Sequence, residues 1–136
     1  MPESIKLSAV IPATPQRIYD AWLDSQEHSS FTGGGAATVD PRVGGKYTAW
    51  DGYIQGTTDA LEAGKRIVQS WRSADFPDDA PDSRLEVLLE PSPRGARVTL
   101  VHTNIPDGQA QDYKQGWKDY YLAPMKAYFA KKKPTA

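Results

Sequence analysis

Cysteine is missing from all 136 residues, which excludes a disulfide framework, thiolate metal sites and thiol catalysis together. Surplus charge is missing as well. Sixteen basic and seventeen acidic side chains leave a net charge of -1, which argues against a binder of nucleic acid or an anionic membrane, since such binders usually show a basic face. No stretch approaches the roughly 18 apolar residues of a membrane span. The opening Met1-Pro-Glu-Ser-Ile-Lys-Leu7 has no apolar segment of the signal-peptide kind. Histidine occurs only at positions 28 and 102, with no spaced partner, so no metal site is expected. Nucleophile elbows, zinc-protease motifs and phosphate loops are also lacking: Gly44-Gly45-Lys46 is followed by Tyr47 rather than the serine or threonine of a phosphate loop, and the upstream glycine is missing. These absences leave one soluble, cytoplasmic domain over residues 1–136, without cofactor or metal, as the expectation.

What the chain does have is a concentration of aromatics near its C-terminus. Asp107 to Lys133 reads as one amphipathic helix, with Asp107 as its N-cap. At about 100° per residue, Tyr113, Trp117, Tyr120, Tyr121, Pro124, Met125 and Tyr128 fall on one arc. Asp112, Gln115, Lys118, Asp119 and Lys126 fall opposite. Pro124 cannot donate to the carbonyl of Tyr120, which predicts a kink there. Lys131, Lys132 and Lys133 suit the negative end of the helix dipole.

Everything before that helix reads as short elements. Ile5, Leu7, Ala9 and Ile11 alternate with Lys6, Ser8 and Val10, the pattern of a strand with one buried face. Thr14-Pro15 starts a helix over 15–23, and a second short helix covers Ser25–Phe31, stopped by Gly33-Gly34-Gly35. Strands are expected at 37–40, 46–50, 53–62, 66–72, 84–90 and 96–104, with a two-residue hairpin turn at Asp51-Gly52. The segment 75–83, with Asp75, Asp78, Asp79 and Asp82, reads as a solvated loop. Turns this short make neighbours pair antiparallel.

A curved sheet of six or seven antiparallel strands on a long helix, with two small helices after strand one, is an α+β helix-grip arrangement. It resembles the START-like (SRPBCC, Bet v 1-like) superfamily. Ile18-Tyr-Asp-Ala-Trp-Leu-Asp24, Phe31-Thr-Gly33, Val43-Gly-Gly-Lys-Tyr47, Trp50-Asp-Gly52, Gly56-Thr57, Gly64 through Arg72, Gly116-Trp117 and Pro124-Met125 narrow the likeness. This ordered set, over roughly residues 8–130, resembles the C-terminal domain of the activator of the heat-shock protein 90 ATPase. The resemblance implies the fold, and it implies a chaperone as a candidate partner. The wider superfamily runs from lipid carriers to polyketide cyclases, so fold alone does not transfer an activity.

The candidate site residues are aromatic. Tyr19, Trp22, Tyr47, Trp71, Trp117 and Tyr121, with His102, are candidates to line an apolar cavity between sheet and helix; Phe31 and Trp50 belong to the same aromatic set. The same side chains can equally be plain core, and both readings stay open. His102 is also a candidate acid/base inside its strand, and His28 is expected to be exposed. The first reading is a non-enzymatic binder of a small apolar or amphipathic ligand. The alternative is a co-chaperone-like interaction domain, followed by a cyclase-like enzyme using His102 with a tyrosine.

Overall fold

The computed structural model describes residues 3–32 and 35–131. Gly33, Gly34, Lys132 and Lys133, to which the sequence assigns helix-ending roles, lie outside the described residues. Strand β1 (Glu3–Ile11) leads into helices α1 (Pro15–Trp22) and α2 (Ser25–Phe31). Six strands come next: β2 (Thr38–Val39), β3 (Lys46–Ala49), β4 (Ile54–Glu62), β5 (Arg66–Ser73), β6 (Ser83–Ser92) and β7 (Gly95–Ile105). They form one seven-stranded sheet in the order β1-β7-β6-β5-β4-β3-β2, antiparallel throughout. The chain closes with α3 (Ala110–Trp117), a π-helical turn at Lys118–Leu122, and α4 (Ala123–Lys131). The α+β helix-grip architecture is therefore the observed one, with the long helix broken in register near its middle.

Local chemistry explains the small helices. Thr14 Oγ1 accepts the N–H of Arg17 at 3.1 Å, and Pro15 occupies the first turn, where its missing N–H costs nothing. Asp24 caps α2 in the same way, accepting from the N–H of Glu27 at 2.9 Å. Arg17 then grips Glu27 with both guanidinium arms, at 2.7 and 2.5 Å, while the Tyr128 hydroxyl donates to Glu27 at 2.7 Å. That cluster ties α1, α2 and α4 together.

Three local expectations are corrected by the structure. Asp107 is not the cap of the long helix: α3 starts at Ala110, and its N-cap Gln109 makes no side-chain capping bond. The carboxylate of Glu3, on β1, does that work instead, accepting from the N–H groups of Gly108 and Ala110, both at 3.1 Å. The turn at Asp51-Gly52 is four residues long rather than two. Ala49 pairs with Ile54, and Trp50, Asp51 and Gly52 all carry positive φ, of 53°, 58° and 88°. A tryptophan there is unusual for an L-residue and is held by its surroundings. Asp51 supplies part of that hold: its N–H donates to the Ala36 carbonyl, and Oδ1 accepts from the Ala36 N–H, each at 3.0 Å.

The third correction concerns the helix itself. Trp117, Tyr121, Met125 and Phe129 are all buried, at a spacing of four throughout. In an unbroken α-helix each step of four would drift by about 40°. The π turn adds a residue at 118–122 and rotates the remainder of the helix back by about 100°. The N–H of Ala123 accordingly bonds the Lys118 carbonyl, five residues back. So the irregularity expected at Pro124 takes the form of a π turn ending just before it. Tyr120, placed on the buried arc by simple periodicity, lies inside this turn and is 58% exposed.

The core is the layer between sheet and helix. Leu85, Val87 and Leu89 on β6, Val98 and Leu100 on β7, and Ile67 on β5 face Ile18, Trp22, Phe31 and the helix stripe. At one point the strands are unusually close. A Cβ on Gly56 would sit 2.0 Å from the Ser70 carbonyl oxygen and 2.8 Å from the Tyr47 ring, so only glycine fits. No helix of the described residues is long and apolar enough to cross a membrane.

Candidate functional site

A cavity of about 600 Å³ opens between the first half of the long helix and the β3–β4 and β5–β6 ends of the sheet. Trp50, Tyr53 and Ile54 form one wall from the β3–β4 turn. Trp71 and Asp75 form another, from the end of β5 and the loop after it. The helix contributes Gln109, Asp112, Tyr113, Gly116, Trp117, Tyr120 and Tyr121. Gly116 matters by omission: a Cβ there would meet only the Tyr120 ring, at 3.9 Å. The bare backbone at that position leaves room among seven aromatic rings.

Hydrogen bonds fix the rim. The Asp75 N–H donates to Ser73 Oγ at 3.1 Å, and Ser73 Oγ lies 2.6 Å from the Tyr113 hydroxyl. Tyr113 donates to Gln109 Oε1 at 2.6 Å, and Gln109 Nε2 closes the ring on the Asp75 carbonyl at 3.0 Å. Since the Tyr113 proton goes to Gln109, the hydroxyl of Ser73 is the donor to Tyr113. Burial pushes the Tyr113 phenol up to about 12, against the opposing bond from Ser73, so it stays protonated. Beside this ring the Tyr53 hydroxyl donates to Asp75 Oδ2 at 2.5 Å.

Beneath the cavity floor lies a second, fully buried chain. The indole N–H of Trp117 can only donate, so at 3.1 Å His102 Nδ1 is an acceptor. The ring proton is therefore on Nε2, which donates to Ser83 Oγ at 2.7 Å. Ser83 passes its own proton to the Trp71 carbonyl at 2.6 Å. Every donor is matched with the imidazole neutral. Burial pulls the pKa of His102 down to about 3, in agreement. His28 is arranged likewise: Nδ1 donates to the Trp22 carbonyl at 2.9 Å, and Nε2 accepts from the Tyr121 hydroxyl at 3.0 Å. Burial lowers it to about 4, despite the bond to Trp22. Among the described residues no buried side-chain nitrogen or oxygen lacks a partner.

The comparisons with known proteins bear on the whole of this geometry. A family model described as Activator of Hsp90 ATPase homolog 1-like protein matches residues 12–130. The chain belongs to that family. It is 26% identical over 129 residues to the activator of 90 kDa heat shock protein ATPase homolog of Dictyostelium discoideum, covering 94% of this chain and 33% of the relative. To the human homolog 1 it is 24% identical over 125 residues, covering 92% of this chain and 36% of the relative. The chain thus spans about a third of the length of the curated relatives it matches. A crystal structure of an Hsp90 activator from Plasmodium falciparum superposes with a TM-score of 0.84 at 24% identity, over 93% of this chain and 96% of that one. A Chromobacterium violaceum protein superposes at 0.74 with 28% identity, over 92% of this chain and 95% of that one. The fold is START-like.

Within this activator-homologue fold the candidate residues divide. Trp71, Trp117 and Tyr121 border the cavity. His102 lies one layer below, holding Trp117 in place, with both ring nitrogens engaged. Trp22 is core, its indole N–H donating to Gln69 at 3.2 Å, and Tyr47 is core, its hydroxyl donating to the Ser70 carbonyl at 2.6 Å. Tyr19 is half-buried on α1 and packs against the core from outside the cavity lining. His28, expected to be exposed, is 2% exposed, because Trp22 and Tyr121 satisfy both its nitrogens. Arg72 donates to the carbonyls of Ala80 and Pro77 at 2.7 and 2.8 Å, so it organises the aspartate-rich loop. Among the described residues no group of three metal-ligating side chains forms.

Residues outside the candidate set complete the lining: Tyr53, Ile54, Asp75, Gln109, Asp112, Tyr113, Gly116 and Tyr120. Gly116 carried a readable signal. A glycine inside an aromatic-rich helix gives up about 1 kcal/mol of helix propensity against alanine, which calls for a spatial reason.

Proposed function

We propose that residues 1–136 act as one START-like domain that binds a small apolar or amphipathic molecule non-covalently in this cavity. The carrying observation is the aromatic-walled volume of about 600 Å³, kept free of side chain by Gly116. Its size is that of sites for drug-sized ligands, and its walls supply mostly apolar contact with a few placed polar groups. Trp71, Trp117 and Tyr121 are the expected contacts from strand and helix, with Trp50, Tyr113 and Tyr120 joining them. His102 serves as a positioning residue for Trp117, since its nitrogens are spent on Trp117 and Ser83.

Gly116→Phe tests this without touching a buried contact. The new ring projects into the cavity, and replacing a helix-interior glycine offsets much of any cost by about 0.5–1 kcal/mol. Native mass spectrometry of gently purified protein, together with titration by the neutral dye Nile red, should show uptake by the parent and at least a tenfold loss in the variant. Equal uptake by both, with unchanged melting temperatures, would place the binding elsewhere.

The similarity along residues 12–130 to proteins named as activators of the heat-shock protein 90 ATPase supports a second reading. In it the domain docks on a chaperone of that class. Purified chain added to such a chaperone should raise its ATPase rate. No change in rate and no complex at high micromolar concentration would remove this reading.

A further inference from the structure

The lining is unbalanced in charge. It includes two carboxylates, Asp75 and Asp112, and contains no lysine, arginine or histidine. Among the described residues neither carboxylate forms an ion pair. Asp75 accepts from Tyr53 through Oδ2 alone, which leaves Oδ1 for another donor.

The hydrogen-bond accounting points the same way. Apart from the indole N–H groups of Trp50 and Trp71 and the Tyr120 hydroxyl, the lining's side-chain donors are committed to protein acceptors: Tyr53 to Asp75, Tyr113 to Gln109, Gln109 to the Asp75 carbonyl, Trp117 to His102, and Tyr121 toward His28. The acceptors are not. A ligand carboxylate or phosphate would find no cation and few spare N–H or O–H groups, while losing its own hydration. A ligand cation would find two carboxylates and the faces of several indole and phenol rings, which attract positive charge through their quadrupoles.

We infer that this cavity selects an organic cation: an amine or quaternary ammonium carrying an apolar body. The inference rests on the cavity being the binding site. The apolar body fills the space beside Gly116, against Trp71 and Trp117. The ammonium lies toward the Asp75 and Asp112 side of the rim, where Tyr53, hydrogen-bonded to Asp75, and Tyr113, whose ring centroid is 4.9 Å from that of Trp71, present further aromatic surface.

Three probes with the same chain and different charge decide the matter: octyltrimethylammonium, octanol and octanoate. Binding is read from quenching of the tryptophan fluorescence, with Gly116→Phe as the blocked control. Octyltrimethylammonium should bind about tenfold or more tightly than octanol, with octanoate weakest. Asp112→Asn, at an exposed side chain with no hydrogen bond or ion pair among the described residues, should weaken the cation several-fold and leave octanol unchanged. The Asp75→Asn/Asp112→Asn pair should weaken it further. Raising the salt concentration should weaken only the cation. Octanol or octanoate binding as tightly as the cation overturns the charge selection and leaves the cavity reading standing. No blockable binding by any of the three overturns both.

Discussion

Lowering the pH from 7 to 5 is expected to remove about 3–4 kcal/mol of unfolding free energy, measured as a shift of the urea midpoint at constant slope. The two histidines are the cause. In the unfolded chain each titrates near its ordinary value of about 6.5. In the folded protein His28 is held to about 4 and His102 to about 3, because both are buried and both are hydrogen-bonded as neutral rings. Below pH 6.5 the unfolded state therefore takes up protons that the folded state refuses, and stability falls as pH falls. The loss continues until the folded pKa values are reached. By pH 5 each ring accounts for about 2 kcal/mol, out of a total that for domains of this size is typically 5–15. His28→Gln and His102→Gln should each lower stability at pH 7 and each flatten the slope between pH 7 and 5. A midpoint that does not move over this range in the parent protein would contradict the buried neutral rings.

Truncating Trp117 is the other large effect. Trp117→Ala should cost about 4–5 kcal/mol in urea unfolding. The indole is 3% exposed and lies against Trp22, Trp71, His102 and Tyr121, with ring centroids 4.7 to 6.4 Å away. Its removal also strips His102 Nδ1 of its donor. Trp117→Phe separates the two contributions: most of the ring is kept, the N–H is lost, and about 2 kcal/mol should go with it. If Trp117→Phe costs under about 0.5 kcal/mol, the bond to His102 does not hold the helix on the sheet. In that case the positioning role assigned to His102 fails too.

Many of the expected elements whose signal is local agree with the observed ones. The alternation at Leu85, Val87 and Leu89, the Thr14-Pro15 helix start and the aromatic stripe of the last helix are all read from neighbours in the chain, and all are present in the structure. Disagreements arise where a partner lies far away in sequence. Glu3 displaces Asp107 as the helix cap from more than a hundred residues upstream. His28 looks exposed within Gln26-Glu-His-Ser29, yet Tyr121 reaches it across the interface between α2 and the long helix. The site obeys the same rule. Trp71, Trp117 and Tyr121 are conspicuous as large aromatics. Asp75 and Asp112 look like ordinary surface acids until the fold sets them around one cavity. Tyr120 shows the limit of periodicity: a register offset inside the helix moves it from the core to the rim.

That offset divides the helix into two halves with separate attachments. Ala110–Trp117 is fastened by Glu3 and by the Ser73–Tyr113–Gln109 ring, while the stretch after the offset is fastened by Arg17, Glu27 and Tyr128. Between the two sets of fastenings the Ala123 N–H bonds five residues back instead of four, and an interruption of this kind is where opening as two cooperative units is expected. The half that borders the cavity is then expected to exchange its amide hydrogens independently of the other. The half tied to Arg17 and Glu27 of the small helices is expected to keep its protection meanwhile.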